Sequence, residues 1–131
     1  MTEVLIATDD DAVHAEVAAA LADESTNVVR VREGKVVADA VASSNPDLVI
    51  LDLQIGNMGG IAACLNLRHE AGDGRLPEVP VLMLLDRQAD VQLARRSGAD
   101  GWLVKPLDAF ALRRSATDLL AQVTVATPDL S

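Results

Sequence analysis

Short apolar runs alternate along this chain with longer segments of helical periodicity, an order typical of a series of β-α units. The apolar runs predict strands over residues 3–8, 27–32, 48–51, 81–85 and 101–104. Helices are predicted to begin near residue 11 and then to cover residues 35–44, 61–70, 88–97 and 108–123. Because strands joined through helices run parallel, the sequence predicts an α/β fold with a doubly wound sheet of five parallel strands.

Two of the predicted strands differ in their polarity. Residues 48–51 are apolar without interruption, which predicts a central strand buried on both faces. Residues 27–32 end in alternation, with Arg30 and Arg32 opposite the intervening valines. That pattern predicts an edge strand with one wet side.

Four charged side chains follow closely after predicted strands: Asp9, Asp10, Asp52 and Lys105. The carboxyl ends of parallel strands meet at one edge of the sheet, where open α/β sheets bind ligands. Crowded carboxylates repel one another unless a cation lies among them, and Mg²⁺ prefers such hard oxygen ligands. We therefore expect a divalent-cation and phosphoryl site here, with Asp10 and Asp52 as direct ligands and Asp9 acting through water.

Lys105 and Asp52 suit two different tasks at such a site. A lysine ammonium is a compact charge that can pair with a carboxylate or with a phosphoryl oxygen. Asp52, at the end of the central strand, can itself be a nucleophile and form an aspartyl phosphate. The alternative is that acidic residues after strands only cap helices and solubilise loops, and we expect that role for Asp11 and Asp108. Capping does not account for the Lys105-Pro106 pair.

Charge and composition exclude several classes of protein. The net charge is −9 and the basic residues are scattered, so we expect no nucleic-acid-binding surface. The chain shows no signal peptide and no run as long as a membrane span, so we expect a cytoplasmic protein without membrane insertion. The single cysteine, Cys64, lies in an apolar helical segment and is expected in the core.

Several motifs, in their order and spacing, resemble the receiver domains of two-component response regulators. The motifs are Thr8-Asp9-Asp10-Asp11, Pro46-Asp47-Leu48-Val49-Ile50-Leu51-Asp52-Leu53, Met58 with Gly60, Pro80-Val81-Leu82-Met83-Leu84, and Gly98-Ala99-Asp100-Gly101-Trp102-Leu103-Val104-Lys105-Pro106-Leu107. The resemblance covers residues 3 to about 122. It implies the (βα)5 flavodoxin-like receiver fold.

The resemblance also implies roles for individual residues. Asp52 would be the phosphoacceptor, supplied by a sensor histidine kinase or a small phosphodonor. Lys105 would bind the phosphoryl group, and the peptide bond between Lys105 and Pro106 would be cis. Asp9 and Asp10 would hold Mg²⁺, the cofactor.

The backbone carbonyl of Gln54 would complete the metal shell, again by resemblance. The receiver domain would occupy residues 3–123, followed by a short tail at residues 124–131 and no output domain. The family surface for partner proteins would be the face of helix four, strand five and helix five, which includes Trp102.

Three departures from the family pattern bear on function. Strand four ends in Leu85, which lacks the usual threonine or serine hydroxyl, and Asp86 follows where a small residue is usual. A hydrogen bond to a charged group is worth roughly 1.5–3 kcal/mol, so its loss would weaken the coupling between phosphorylation and shape change. The switch position on strand five holds Trp102, either a cover of the sheet edge or a mobile side chain. Gly56 and Gly59 predict a flexible loop after strand three.

These residues support two functional hypotheses. The first is a stand-alone phosphorylatable receiver, not an enzyme, that acts by protein–protein contact through a face including Arg95 and Arg96. The second is a pseudo-receiver, the same fold used as a constitutive binding module, in which Leu85 and Asp86 mark a switch that no longer responds. A phosphatase-type hydrolase would need further catalytic groups and a cap, for which the chain has no room.

Overall fold

The computed structural model describes the backbone of residues 1–126 and the side chains of residues 1–122. Over these residues five strands alternate with five α-helices. The strands are β1 (Thr2–Ala7), β2 (Thr26–Val31), β3 (Leu48–Asp52), β4 (Val81–Leu85) and β5 (Gly101–Val104). The helices are α1 (Asp11–Leu21), α2 (Val37–Ser44), α3 (Gly60–Gly72), α4 (Val91–Arg96) and α5 (Ala109–Ala126).

The strands form one parallel sheet in the order β2-β1-β3-β4-β5. β3 lies at the centre with every residue buried, which confirms the prediction from its unbroken apolar run. β2 is an edge strand, as predicted, but the prediction that its arginines face water is wrong for Arg30. The Arg30 side chain is only 10% exposed because its guanidinium donates to the Thr8 carbonyl and to Asp11, while Val29 is exposed.

Side-chain alternation along the strands produces two apolar cores, one on each face of the sheet. On the first face, Ile6, Ile50 and Leu84 pack with residues of α1 and α5. On the second face, Leu51, Met83 and Leu85 pack with residues of α2, α3 and α4. Cys64 on α3 belongs to this second core, as predicted, and its burial raises the pKa of the thiol. The sheet is therefore covered by helices on both faces, the doubly wound arrangement that the sequence predicted.

The start of α1 differs from the prediction by one residue. Asp10, not Asp11, is the N-cap, and its Oδ1 accepts hydrogen bonds from two backbone N–H groups of the first turn. Asp10 has the extended backbone of a cap, whereas Asp11 already belongs to the helix. Asp108 does cap α5, since its Oδ1 accepts from the N–H of Phe110.

α2 and α4 are each preceded by a single turn of 3-10 helix, at Gly34–Val36 and Gln88–Asp90. The α-helical part of α4 is therefore shorter than predicted, at six residues. Within residues 1–126, no helix has both the length and the apolarity that crossing a bilayer requires.

Candidate functional site

Strand register brings the first members of the site together. β1 and β3 pair Ala7 with Leu51, so the residues that follow in register, Thr8 and Asp52, stand side by side at the carboxyl edge. Because side chains alternate along a strand, both point to the face that α1 and α5 cover. Lys105, the residue after β5, reaches the same place from the far side of β4.

Asp52 is almost fully buried, with 1% of its surface exposed, and three donors surround its carboxylate. The Thr8 hydroxyl donates to Oδ2 at 2.7 Å. Lys105 Nζ donates to Oδ1 at 2.7 Å, and the backbone N–H of Gln54 donates to the same oxygen at 3.3 Å. Both carboxylate oxygens are therefore hydrogen-bonded, as the burial of a charged group requires.

Lys105 lies between two carboxylates. Its Nζ is 2.7 Å from Asp52 Oδ1 and 3.1 Å from Asp86 Oδ1. Burial is the largest single influence and lowers the pKa of Lys105, but the hydrogen bonds and charges of Asp52 and Asp86 together outweigh it, and the pKa is raised. The lysine is therefore charged at neutral pH. The peptide bond between Lys105 and Pro106 is cis.

Asp9 and Asp10 are exposed at the same edge, and the protein backbone engages one carboxylate oxygen of each. Asp9 Oδ2 accepts from the N–H of Gly56 at 2.9 Å, and Asp10 Oδ1 caps α1. In the described part of the chain, no hydrogen bond involves Asp9 Oδ1 or Asp10 Oδ2. Among the side chains of residues 1–122, no group of three or more carboxylate, imidazole or thiol residues is placed to hold a metal ion.

The available donors still suit magnesium. Mg²⁺ keeps several water ligands and commonly binds through one or two carboxylates, so it does not need a cluster of three. The second oxygens of Asp9 and Asp10 are hard donors on exposed side chains at the carboxyl edge. The helix cap leaves only Oδ2 of Asp10 for a metal, which limits the direct role predicted for this residue.

Backbone hydrogen bonds tie the loop after β3 to the segment before α2. The N–H of Gly34 donates to the carbonyl of Gly56 at 3.1 Å, and a second such bond follows one residue further on. Gly34 permits this approach because a Cβ there would lie 1.7 Å from the carbonyl oxygen of Met58. Gly56 also supplies the N–H that holds Asp9, which a proline could not do. The predicted flexibility of this loop stays a prediction.

Leu85 and Trp102 both belong to the second core, on the face opposite Asp52. Leu85 is fully buried beneath α2, α3 and α4. Trp102 is half-buried on the edge strand β5, and the Arg95 guanidinium lies 5.3 Å from its ring centroid, a cation–π contact. In this structure Trp102 covers the sheet edge, and a mobile Trp102 stays a prediction.

The sequence interpretation missed Thr8 as a member of the site. One signal was present, because Thr8 is a polar residue that closes an apolar strand directly before the acidic pair. Its partner could not be named without the β1–β3 register, which places the hydroxyl against Asp52.

The comparisons with known proteins agree with this geometry. A family model described as response regulator receiver domain matches residues 4–117. The DNA-binding response regulator MtrA of Mycobacterium tuberculosis is 36% identical over 109 residues, which are 81% of this chain and 45% of MtrA. The transcriptional regulatory protein CseB of Streptomyces avermitilis is 31% identical over 113 residues, 85% of this chain and 46% of CseB.

Among solved structures, the signal receiver domain of a signal transduction histidine kinase from Syntrophus aciditrophicus is similar. It is 27% identical, with a TM-score of 0.81, and the match covers 94% of this chain and 92% of that one. The chain belongs to the response regulator receiver domain family of two-component systems. The predicted receiver fold is confirmed.

The chain spans about half the length of the curated relatives it matches, 45% of MtrA and 46% of CseB. Receiver domains are signalling domains rather than ordinary enzymes. They receive phosphoryl groups from histidine kinases and generally bind Mg²⁺ at the phosphorylation site.

Proposed function

We propose that this chain accepts a phosphoryl group on Asp52 and signals through protein–protein contact. One observation carries the proposal: the buried Asp52 carboxylate lies at the carboxyl edge of the sheet, 2.7 Å from the Lys105 ammonium. A carboxylate held in this way can act as a nucleophile toward phosphorus, and the adjacent cation can pair with the transferred group.

In the proposed step, a carboxylate oxygen of Asp52 attacks the phosphorus of a phosphohistidine or a small phosphodonor. The bond from phosphorus to the donor breaks, and its electron pair leaves with the donor group: the histidine nitrogen then takes up a proton, whereas an acyl phosphate donor leaves as a carboxylate. Lys105 then pairs with a phosphoryl oxygen. Asp9, Asp10, Asp52 and the carbonyl of Gln54 would hold Mg²⁺, which when bound offsets the negative charge of the transferred group.

The proposed phosphodonor is a sensor histidine kinase, and the proposed contact surface for a downstream protein is formed by α4, β5 and α5. Apolar side chains are exposed on these elements, since Leu93 is 49% and Phe110 75% exposed. Trp102 and its partner Arg95 lie on β5 and α4. Aromatic and arginine side chains are enriched at protein interfaces, which supports a protein partner here.

A cytoplasmic location belongs to the same proposal. Cell fractionation would test it. A membrane-bound protein would contradict it.

The phosphoacceptor role is tested by intact-mass measurement after incubation with acetyl phosphate and Mg²⁺. The wild-type protein should gain one phosphoryl group, and Asp52→Asn should gain none. Asp11→Asn is the matched control, because Asp11 lies at the same edge but pairs with Arg30 at 2.7 Å. It should label like wild type. A wild-type protein that no donor labels would overturn the proposal.

The pseudo-receiver is the second candidate, and two observations favour it. Leu85 presents no donor, and Asp86 already holds Lys105 at 3.1 Å, so a phosphoryl group must compete for the lysine. Leu85→Thr should enlarge the change in Trp102 fluorescence that acetyl phosphate causes, because it restores the hydroxyl that the receiver family usually carries at the end of strand four. Leu85→Val, which has the shape of threonine but no hydroxyl, is the control. Equal responses in both variants would mean that Leu85 does not limit the switch.

A further inference from the structure

We propose that Thr8 sets the lifetime of the phosphoryl group, by donating its hydroxyl to the carboxylate that the phosphoryl group leaves. This inference rests on the proposed function of Asp52 and extends it to an uncharged residue that directly precedes the acidic pair Asp9-Asp10. It predicts that Thr8 accelerates loss of the phosphoryl group.

The hydroxyl of Thr8 is fixed in place and direction. Thr8 is fully buried, and its Oγ1 lies 2.7 Å from Asp52 Oδ2. The backbone N–H of Asp10 donates to the same Oγ1 at 3.1 Å. Because a hydroxyl has one proton and Asp10 occupies an acceptor position, that proton is directed at the Asp52 carboxylate.

Within the described side chains of residues 1–122, Thr8 is the hydroxyl that bonds Asp52. On the other flank of β3, Leu85 carries no donor and points to the opposite face of the sheet. The neutral donor to the reacting carboxylate therefore comes from β1 and the charged donor, Lys105, comes from beyond β4.

The direction of the effect follows from the chemistry of an acyl phosphate. When water attacks phosphorus, the bond between phosphorus and the Asp52 oxygen breaks and its electron pair returns to that oxygen. The products are the Asp52 carboxylate and inorganic phosphate, with a proton released from the water. A carboxylate accepts a stronger hydrogen bond than the neutral acyl group it replaces, so the Thr8 hydroxyl stabilises the leaving group as its charge develops.

This argument does not depend on which oxygen of Asp52 carries the phosphoryl group. If the phosphoryl group is on Oδ2, the Thr8 hydroxyl contacts the leaving oxygen itself. If it is on Oδ1, the Thr8 hydroxyl contacts Oδ2 as the carbonyl oxygen, which shares the returning charge by resonance. In both cases the bond strengthens as the phosphoryl group departs, so its removal should slow hydrolysis.

The experiment measures the decay of protein labelled with radioactive acetyl phosphate and Mg²⁺, after the donor is removed. Thr8→Val removes the hydroxyl at nearly constant shape and should slow decay about tenfold, a factor within the worth of a hydrogen bond to a charged group. Thr8→Ser keeps the hydroxyl and should decay like wild type. Thr8→Cys, a weak donor of similar size, should lie between them and carries the test if Thr8→Val does not fold.

A purely structural role for Thr8 would not produce this order, since a disturbed site would be labelled less and would not hold its label longer. Decay of Thr8→Val at the wild-type rate or faster would overturn the inference and leave the proposed function intact. If Thr8→Val does not fold, decay of Thr8→Cys at the wild-type rate has the same meaning. A wild-type protein that takes no label would overturn both.

Discussion

The two strands beside β3 treat Asp52 in opposite ways. β1 leads directly into Thr8, a fully buried residue whose hydroxyl donates to Asp52 Oδ2 at 2.7 Å. β4 ends in Leu85, which is equally buried but packs into the core beneath α2, α3 and α4. The β1 side therefore contributes a hydrogen bond to the Asp52 carboxylate, and the β4 side contributes an apolar side chain to the core.

The difference shows that, of the two strands beside a central-strand carboxylate, one alone can provide a side-chain hydrogen bond to it. On the β4 side, the charged contact comes from Lys105 beyond β5, and Asp86 shares that lysine. A change of charge at Asp52 therefore acts directly on Thr8 and Lys105, which donate hydrogen bonds to its carboxylate. Leu85 is separated from this carboxylate because it lies on the other face of the sheet. Three substitutions test this division between the flanks.

The largest effect should come from Leu85→Ala. Truncating a fully buried leucine leaves a cavity, so we expect a loss of roughly 2–5 kcal/mol in the free energy of unfolding, measured by urea denaturation. Leu65→Ala, at a half-exposed leucine on α3, is the matched control and should change stability by less than about 0.5 kcal/mol. A similarly small loss for Leu85→Ala would mean that the β4 flank does not contribute through packing.

The next effect should come from Thr8→Val, measured in two backgrounds. With Asp52 present, we expect a loss of about 1.5–3 kcal/mol in the free energy of unfolding, because the hydrogen bond is to a charged group. In Asp52→Asn, where the acceptor is neutral, the same substitution should cost about 0.5–1.5 kcal/mol. Equal costs in the two backgrounds would show that Thr8 does not sense the charge of Asp52.

The smallest effect should come from Asp86→Asn, because Asp86 is partly exposed and such pairs contribute about 0.2–1 kcal/mol. The pKa of Lys105 is raised above the ordinary 10.5, so its pairing stabilises the fold fully below that pH and is lost as pH rises through the raised value. Losing Asp86 reduces the rise, so the alkaline loss of stability should be smaller and should be complete at lower pH.

Thermal melts of Asp86→Asn and wild type between neutral and strongly alkaline pH would show this shift. Asp39→Asn, at an exposed carboxylate on α2, controls for the loss of one negative charge. An alkaline transition in Asp86→Asn that coincides with those of wild type and Asp39→Asn would mean that Asp86 does not help to raise the pKa of Lys105.

Much of the fold could be predicted from the sequence, because periodicity records burial directly. An unbroken apolar run marked β3 as the central strand, and alternating polarity marked β2 as an edge. The same logic brought Asp52 and Lys105 to one edge, where they lie 2.7 Å apart. Helix starts were less accurate, since α2 and α4 begin with 3-10 turns that no apolar pattern distinguishes from α-helix.

The sequence by itself determined which strand is central and which lies at an edge. It also determined that aspartates gather at the carboxyl edge of the sheet, and to which family the motifs belong. Only the tertiary structure decided which of two adjacent aspartates caps α1, because that depends on the backbone angles of Asp10. It also decided that Thr8 bonds Asp52 and that Asp86 shares Lys105. These pairs are far apart in the chain and meet only through strand register, which the local sequence pattern of a strand does not encode.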